Sequence, residues 1–406
     1  MYLYLVLEAA AWVFGGAALL YIFLHMLPSH YSIKKKLLRF RISIVIITAA
    51  VILGVYANKT YPPDFAMPVW MHSFGPDHHA PTLPFANIFN FFLHAGNFER
   101  VLDIARDPSD VPTSLEREGG ELVKINLTVK EVISEIAPGV YFNYWTFDGQ
   151  VPGPMLRVVE GDTVELSLTN DITSIHSHNI DLHAVTGPGG GASLTNAAPG
   201  ETKIFRWKAL NPGLYIYHCA SMNVSVHNSH GQYGMILVEP RGGLPKVDKE
   251  FYLVQGEFYT AGGIGRKGLT RFDSQALLDG IPNYIVFNGR IPNDQLYKKP
   301  MQVNAGDRVR IFVGNGGVNL ISSFHVIGEI FDSVYPEGAM GEGSAILKNV
   351  QTTAVLPGGS AIVEFTAEVP GNLTVVDHAL ARMNKGAWAT IGVIGSPRLD
   401  IFQAIK

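Results

Sequence analysis

Two patterns of apolar residues divide the chain, and the first is continuous. Tyr2 to Leu27 is almost wholly apolar, with Glu8 the one acidic exception, and such a run is long enough to cross a bilayer as a helix. Pro28 and a basic stretch follow, Lys34-Lys-Lys36 with Arg39 and Arg41, and then a second apolar run from Ile42 to Ala57. That run is short for a span unless Leu37, Leu38 and Phe40 extend it and the arginines snorkel. No positive charge precedes the first run, so it does not read as a signal peptide. Residues 1–60 are therefore expected to form a transmembrane helical hairpin in contact with membrane lipid. The positive-inside rule puts its basic loop in the cytoplasm and everything after Lys59 in the periplasm, with the anchor in the inner membrane.

The second pattern is alternating. From Glu121 onward, residues such as Val123, Ile125 and Leu127 are separated by polar neighbours, the period of a half-buried strand. Turn signals recur often, in keeping with 42 Gly and 24 Pro. The expected class is mainly β, of sandwich type. Residues 61–120 carry a weaker signal: Tyr61-Pro-Pro and Met67-Pro suggest an extended linker, and Phe85 to Ala105 has the spacing of a short amphipathic helix. His72, His78, His79 and His94 in this stretch read as surface or packing residues.

The β region repeats itself. Phe147-Asp-Gly149 is echoed by Phe287-Asn-Gly289, Glu160-Gly-Asp162 by Ala305-Gly-Asp307, and Pro199-Gly200 by Pro357-Gly358. Pro212-Gly213 leading to His218 is echoed by Pro370-Gly371 leading to His378. A duplicated sandwich follows, with domains over 121–242 and 249–396, a connector from Glu239 to Lys246, and a tail over 397–406. The length of 406 residues suits two or three domains. Hydrophobic residues make up 47% and charged ones only 16%, so large cores and a membrane segment are both affordable. A net charge of −4 argues against a nucleic-acid partner.

Candidate chemistry centres on His218-Cys219. Cys219 is the only cysteine, so it cannot form an internal disulfide. His227 follows eight residues later, and His176-Ser-His178-Asn-Ile-Asp181-Leu-His183 lies upstream. One thiolate with two imidazoles is the ligand set of a blue-copper electron-transfer centre, and His178, Cys219 and His227 supply it. Neighbouring side chains in a strand point to opposite faces, so His218 can bind a second metal while Cys219 binds the first. His183 is left over beside it. The second repeat has Ala379 where the first has Cys219, so it cannot build a thiolate centre, but it keeps His378 as a candidate ligand for the second metal. Gly189-Gly-Gly191 is not a phosphate loop, because no Gly-Lys-Ser/Thr follows it.

These residues resemble the copper-containing nitrite reductases over roughly 121–395. The resemblance rests on His178-Asn-Ile-Asp-Leu-His183-Ala-Val-Thr-Gly187, Tyr217-His-Cys-Ala220, Ser323-Phe-His325-Val-Ile327-Gly328 and Val376-Asp-His378-Ala-Leu380. The spacing from Cys219 to His227 is similar to the subgroup with the shorter ligand loop. The resemblance implies two Greek-key cupredoxin domains per subunit, a homotrimer and two coppers per subunit. Type 1 copper would sit on His178, Cys219 and His227. Type 2 copper would sit on His183 and His218 of one subunit and His378 of the next. It implies reduction of nitrite to nitric oxide, with an electron from a donor entering at type 1 copper and crossing Cys219-His218. The paired apolar runs at the N-terminus depart from the usual two-domain pattern. So does Gln232, which stands where family members usually carry an axial methionine; its amide oxygen is the expected fourth ligand, with Met222, Met235 and His230 as competitors nearby.

Proton delivery is expected from Asp181, two residues before His183 and so on the same strand face, and from His325, which matches the family's second proton-relay residue. Ile327 is expected to shape the nitrite pocket. Two competing readings are a two-domain multicopper oxidase and a membrane-tethered copper electron carrier with no enzymatic activity. The first would need more histidines than the sandwich region holds; the second leaves Asp181, His183, His325 and His378 unexplained.

Overall fold

A computed structural model describes residues 2–26, 32–60, 98–292 and 301–405. His72, His78, His79, His94 and most of the expected 85–105 helix lie outside the described residues, as does the side chain of Glu8. The chain forms two compact units, one over Met1–Pro68 and one over Val69–Lys406.

The first unit is a pair of helices, α1 (Tyr2–Met26) and α2 (Ile33–Thr60). Small residues line their contact. Ala18, Ser43 and Ala50 are buried, and a side chain at Gly15 or Gly54 would touch Ala50 or Ala11. Small residues let helix backbones approach closely in a lipid-like environment. Trp12, Phe14, Phe23, Val51 and Ile52 point outward and are exposed. Among the described residues, Ile33–Tyr56 is long and apolar enough to cross a membrane, and Ala10–Leu24 is a shorter apolar helix. The basic stretch from Lys34 to Arg41 is not a loop, as the sequence suggested, but the first turns of α2. Leu37, Leu38 and Phe40 thereby extend the apolar run.

The second unit is mainly β, as the alternation predicts. Its first half contains β1 (Glu99–Arg100), β2 (Leu122–Ala137), β3 (Val140–Phe147), β4 (Leu156–Val159), β5 (Thr163–Asn170), β6 (Asp181–Leu182), β7 (Thr202–Lys208), β8 (Gly213–His218) and β9 (Tyr233–Glu239). Its second half contains β10 (Lys249–Phe258), β11 (Gly268–Leu269), β12 (Tyr284–Phe287), β13 (Met301–Asn304), β14 (Arg308–Asn315), β15 (Ser322–Ile327), β16 (Ser333–Pro336), β17 (Thr352–Val355), β18 (Ser360–Thr366), β19 (Gly371–Asp377) and β20 (Trp388–Ile394). A sheet of the first half, ordered β11-β3-β2-β5-β7 with β11 contributed by the second half and β1 alongside β2, faces a sheet ordered β4-β9-β8-β6. In the second, β12-β10-β14-β18-β16 faces β13-β20-β19-β15-β17. Residues 98–105 are extended rather than helical: Glu99 and Arg100 pair in parallel with Val132 and Ile133. The period there is overridden because Ile104, fully buried, fills the core behind β2.

The sequence repeats fold alike. Asp148 and Asn288 both adopt positive φ. Asp148 accepts the Thr128 N–H through its side chain, and Asn288 accepts the Val254 N–H in the same way. Each sandwich has its own apolar interior. A third cluster is shared between them, with Tyr144, Ile216, Tyr233 and Met235 from one half and Tyr252, Phe258, Phe312 and Ile362 from the other. The two halves therefore cannot separate without exposing a core. Beside this cluster runs a buried ionic chain. Arg157 pairs with Glu239 and, at 2.7 Å, with Glu250; Arg310 pairs with Glu250 at 2.7 Å and with Glu364 at 2.5 Å.

Removing one member of a buried ion pair leaves its partner uncompensated, at a cost of about 3–5 kcal/mol. Arg310→Met is expected to destabilise the protein by that amount, read as a lower denaturant midpoint. A midpoint equal to that of the parent would show that the ionic chain contributes nothing to stability.

Candidate metal centres

The end of β8 places two adjacent side chains on opposite sides of a sheet. Cys219, directly after the strand, points inward and is fully buried in the interior of the first sandwich. His218, the last residue of the strand, faces outward and is partly exposed.

The inner group is His178, Cys219 and His227, whose ligand atoms all lie within 4.8 Å of one another. The Cys219 Sγ is 3.9 Å from His178 Nδ1 and 3.2 Å from His227 Nδ1. Nitrogen and sulfur donors about 2.0 and 2.3 Å from a tetrahedral metal stand about 3.5 Å apart, so the spacing suits one ion held between these atoms. His227 rides on the short helix Val224–Ser229, and His178 sits in the loop before β6. Asn179 ties the two segments together: its N–H points at Sγ from 3.5 Å and its side-chain oxygen accepts the Ala220 N–H at 2.7 Å. Burial opposes ionisation of Cys219, but His227 and His178 outweigh it and hold the thiol well below its ordinary value. Burial likewise opposes charge on His178, yet Cys219 and Glu131 push that imidazole up to about 9. Both shifts mark a position that attracts positive charge.

Gln232 is fully buried beside this group, with its Oε1 3.2 Å from His227 Nδ1. Among the described residues its Nε2 has no hydrogen-bond partner. The competing residues are disposed differently. Met235 lies in the core shared by the two sandwiches, and Met222 is substantially exposed. His230 hydrogen-bonds the Val226 carbonyl at 2.7 Å and stacks on Trp145 with centroids 4.1 Å apart.

The outer group is Asp181, His183 and His218. Asp181 pairs with His218 across β6 and β8. The Nδ1–H of His218 donates to the Cys219 carbonyl at 2.9 Å, which leaves Nε2 as the lone-pair nitrogen. That atom stands 3.1 Å from Nε2 of His183. His183 is pushed down to about 4, first by desolvation of the ring on its protein side, although its edge is exposed, and then by His218. Two imidazole nitrogens at this distance can share one proton in a hydrogen bond or hold a metal ion between them. Burial raises the Asp181 carboxyl, while His218 works the other way.

His325, Ile327 and His378 are together on the second sandwich. The His325 and His378 rings are 5.3 Å apart, His325 donates from Nδ1 to the Gln351 carbonyl at 2.5 Å, and Ile327 is exposed two residues further along β15. Within one chain this trio does not join the His183–His218 group among the described residues.

Residues 128–243 match the family model described as multicopper oxidase. The copper-containing nitrite reductase of Neisseria gonorrhoeae is 51% identical over 293 residues, 72% of this chain and 74% of that protein. The chain belongs to the copper-containing nitrite reductases. Membership makes it a copper-dependent oxidoreductase. The relative from Rhizobium meliloti is 32% identical over 338 residues, 77% of this chain and 88% of its own length. Among solved structures, the copper nitrite reductase of Nitrosomonas europaea superposes with a TM-score of 0.60 at 34% identity, covering 68% of this chain and 95% of its own. A multicopper oxidase superposes with a TM-score of 0.58 at 27% identity, covering 72% and 95%.

Sequence reasoning passed over two residues at the inner group, Glu131 and Trp145. Leu127, Val129 and Glu131 alternate into the sandwich interior, so an acid stands where the pattern calls for an apolar residue. That break was the available signal. It also passed over the reason for Gly190, whose φ is +55°: a Cβ there would meet Asp181 Oδ1 at 1.8 Å. Gly190→Ala is expected to push the Asp181 carboxylate out of the outer group and to strain the backbone by about 1–3 kcal/mol. A crystal structure of the variant with Asp181 unmoved would contradict this.

Proposed function

We propose that this chain is a membrane-anchored enzyme that reduces nitrite to nitric oxide and water. The observation that carries the reading is the adjacency of two unlike donor sets at His218-Cys219, one buried and one open to the surface. His178, Cys219 and His227, with the Gln232 oxygen as fourth donor, would hold type 1 copper. His183, His218 and His378 would hold type 2 copper. Copper in those two sets supplies the one-electron chemistry in which nitrite takes up one electron and two protons to give nitric oxide and water.

The residues around it have separate tasks. The covalent path of one residue links the two donor sets. Three imidazoles leave an open position for a small anion. That His378 does not join the His183–His218 group within one chain, among the described residues, supports a site completed by a second copy of the chain, and hence the homotrimer that the family resemblance implies. In such an assembly Asp181 and His325 would share a water beside the open position and titrate as a coupled unit. Each would hold and pass one of the two protons that the reaction consumes. Ile327, on the same face of β15 as His325, would wall the pocket. The apolar length of α2 and the basic residues at its start support an inner-membrane anchor with the sandwiches in the periplasm. The electron would come from a donor at or near that membrane.

The direct test is anaerobic, nitrite-dependent nitric oxide production by the detergent-purified protein, with copper counted in the same sample. Two coppers per chain and activity support the reading; one copper and no activity would make the protein an electron carrier. His378→Ala is expected to lose about half the copper and nearly all activity while keeping the thiolate-to-copper colour, because the coloured centre draws only on the first sandwich. Loss of colour together with activity would show the ligand division to be wrong.

Gln232→Met tests the fourth donor. An amide oxygen is a harder donor than a thioether and favours Cu(II), and the axial ligand is a control on blue-copper potential. The substitution is expected to raise the potential of the coloured centre by about 59 mV, a tenfold change in equilibrium for one electron. Potentiometric titration of the two proteins checks it, and identical potentials would remove Gln232 from the ligand set.

A further inference from the structure

Glu131 is buried in the first sandwich, and one of its oxygens collects four donors. Oε1 lies 2.9 Å from the N–H of Ile175, 2.9 Å from the N–H of His176, 2.8 Å from His176 Nδ1 and 3.2 Å from His178 Nε2. An ionised carboxylate only accepts hydrogen bonds, so both ring nitrogens donate to it. A proton on Nε2 of His178 makes Nδ1 the lone-pair atom, and Nδ1 is the atom turned toward Cys219 Sγ. The carboxylate thus holds the ligand-bearing segment by its backbone and sets the tautomer of its ligand with the same oxygen.

The surroundings add to this. Glu131 pairs across β2 and β3 with Trp145. The Trp145 ring lies 4.0 Å from His176, 4.6 Å from His227 and 4.1 Å from His230, centroid to centroid. The wall behind the inner group is therefore dry and aromatic, and a negative charge there is poorly screened.

We infer that Glu131 is a positioning residue of the inner copper centre: its carboxylate orients His178 through an Nε2–H bond and, by its charge, lowers the reduction potential of the copper that His178 binds. The inference rests on the assignment of His178, Cys219 and His227 as type 1 ligands. Carboxylate partners of metal-bound histidines raise ligand basicity, and losing one typically costs about 10–100-fold in metal affinity. A buried negative charge also favours Cu(II) over Cu(I), which bears on how readily the centre takes an electron from its donor.

Glu131→Gln keeps size and an accepting oxygen but removes the charge. The full-length variant is expected to keep its thiolate-to-copper colour, to bind copper about 10-fold more weakly or worse, and to shift toward the reduced form by about tenfold, or about 59 mV. Glu131→Asp, which retains the charge, is expected to have a potential close to that of the parent. Parent-like potential and copper affinity in Glu131→Gln would overturn the inference. A second readout needs no variant: hyperfine spectroscopy of the parent Cu(II) centre in light and heavy water is expected to find a slowly exchanging proton on the remote nitrogen of one coordinated imidazole. A parent that shows the colour but only freely exchanging remote protons would also overturn it. A parent with no thiolate-to-copper band would instead remove the type 1 ligand set, and this inference with it.

Discussion

Strand alternation at the end of β8 is the constraint on which the rest of this protein depends. A residue and its successor on an extended chain face opposite sides of the sheet, so a buried thiol and a surface imidazole can be one residue apart without distortion. Everything around Cys219 serves to keep it dry and among nitrogen donors: Asn179 holds the two loops, the short helix before Gln232 presents His227, and the interior of the first sandwich closes over the sulfur. Everything around His218 serves the opposite end. β6 brings Asp181 and His183 beside it, and Gly190 leaves room for the carboxylate.

The second sandwich repeats turns of the first. It has lost the cysteine but retains the strand after Pro370-Gly371 that ends at His378, and it sets His325 and Ile327 close by on β15. The core shared between the sandwiches fixes the two copies relative to one another, and the Arg157–Glu250–Arg310 chain adds directional contacts beside it. The Asp181–His183–His218 group and the His325–His378 pair therefore lie on different sandwiches of one unit.

Charge placement follows the same division. The inner group combines a depressed thiol, a raised imidazole and a buried carboxylate, all of which favour a resident cation. The outer group brings two imidazole nitrogens together at a partly exposed position, beside a carboxyl whose burial raises it. The inner group is closed to solvent, whereas the outer group is partly open to it.

Much of this was legible in the sequence because it is local. The two apolar runs, the alternation after Glu121, the duplicated turns and the ligand types at His178, His183, His218, Cys219 and His227 are properties of short segments, and each has its own period or spacing. Gln232 was legible as a departure from a spacing. Other features required the tertiary structure, because they join residues far apart in the chain. The basic stretch before Ile42 became helix because the apolar residues interleaved with it continue α2. Residues 98–105 lost their helical period because Ile104 is needed in a core built by β2 and the second sandwich. Glu131 is separated from His178 by the three strands β3, β4 and β5 and their connections, so nothing local joins them; only the packing of β2 against the ligand loop makes one carboxylate oxygen the acceptor of four N–H groups. A sequence determines which chemical groups are present and how each segment prefers to fold, whereas the direction in which a buried side chain points is decided by the neighbours that the fold brings to it.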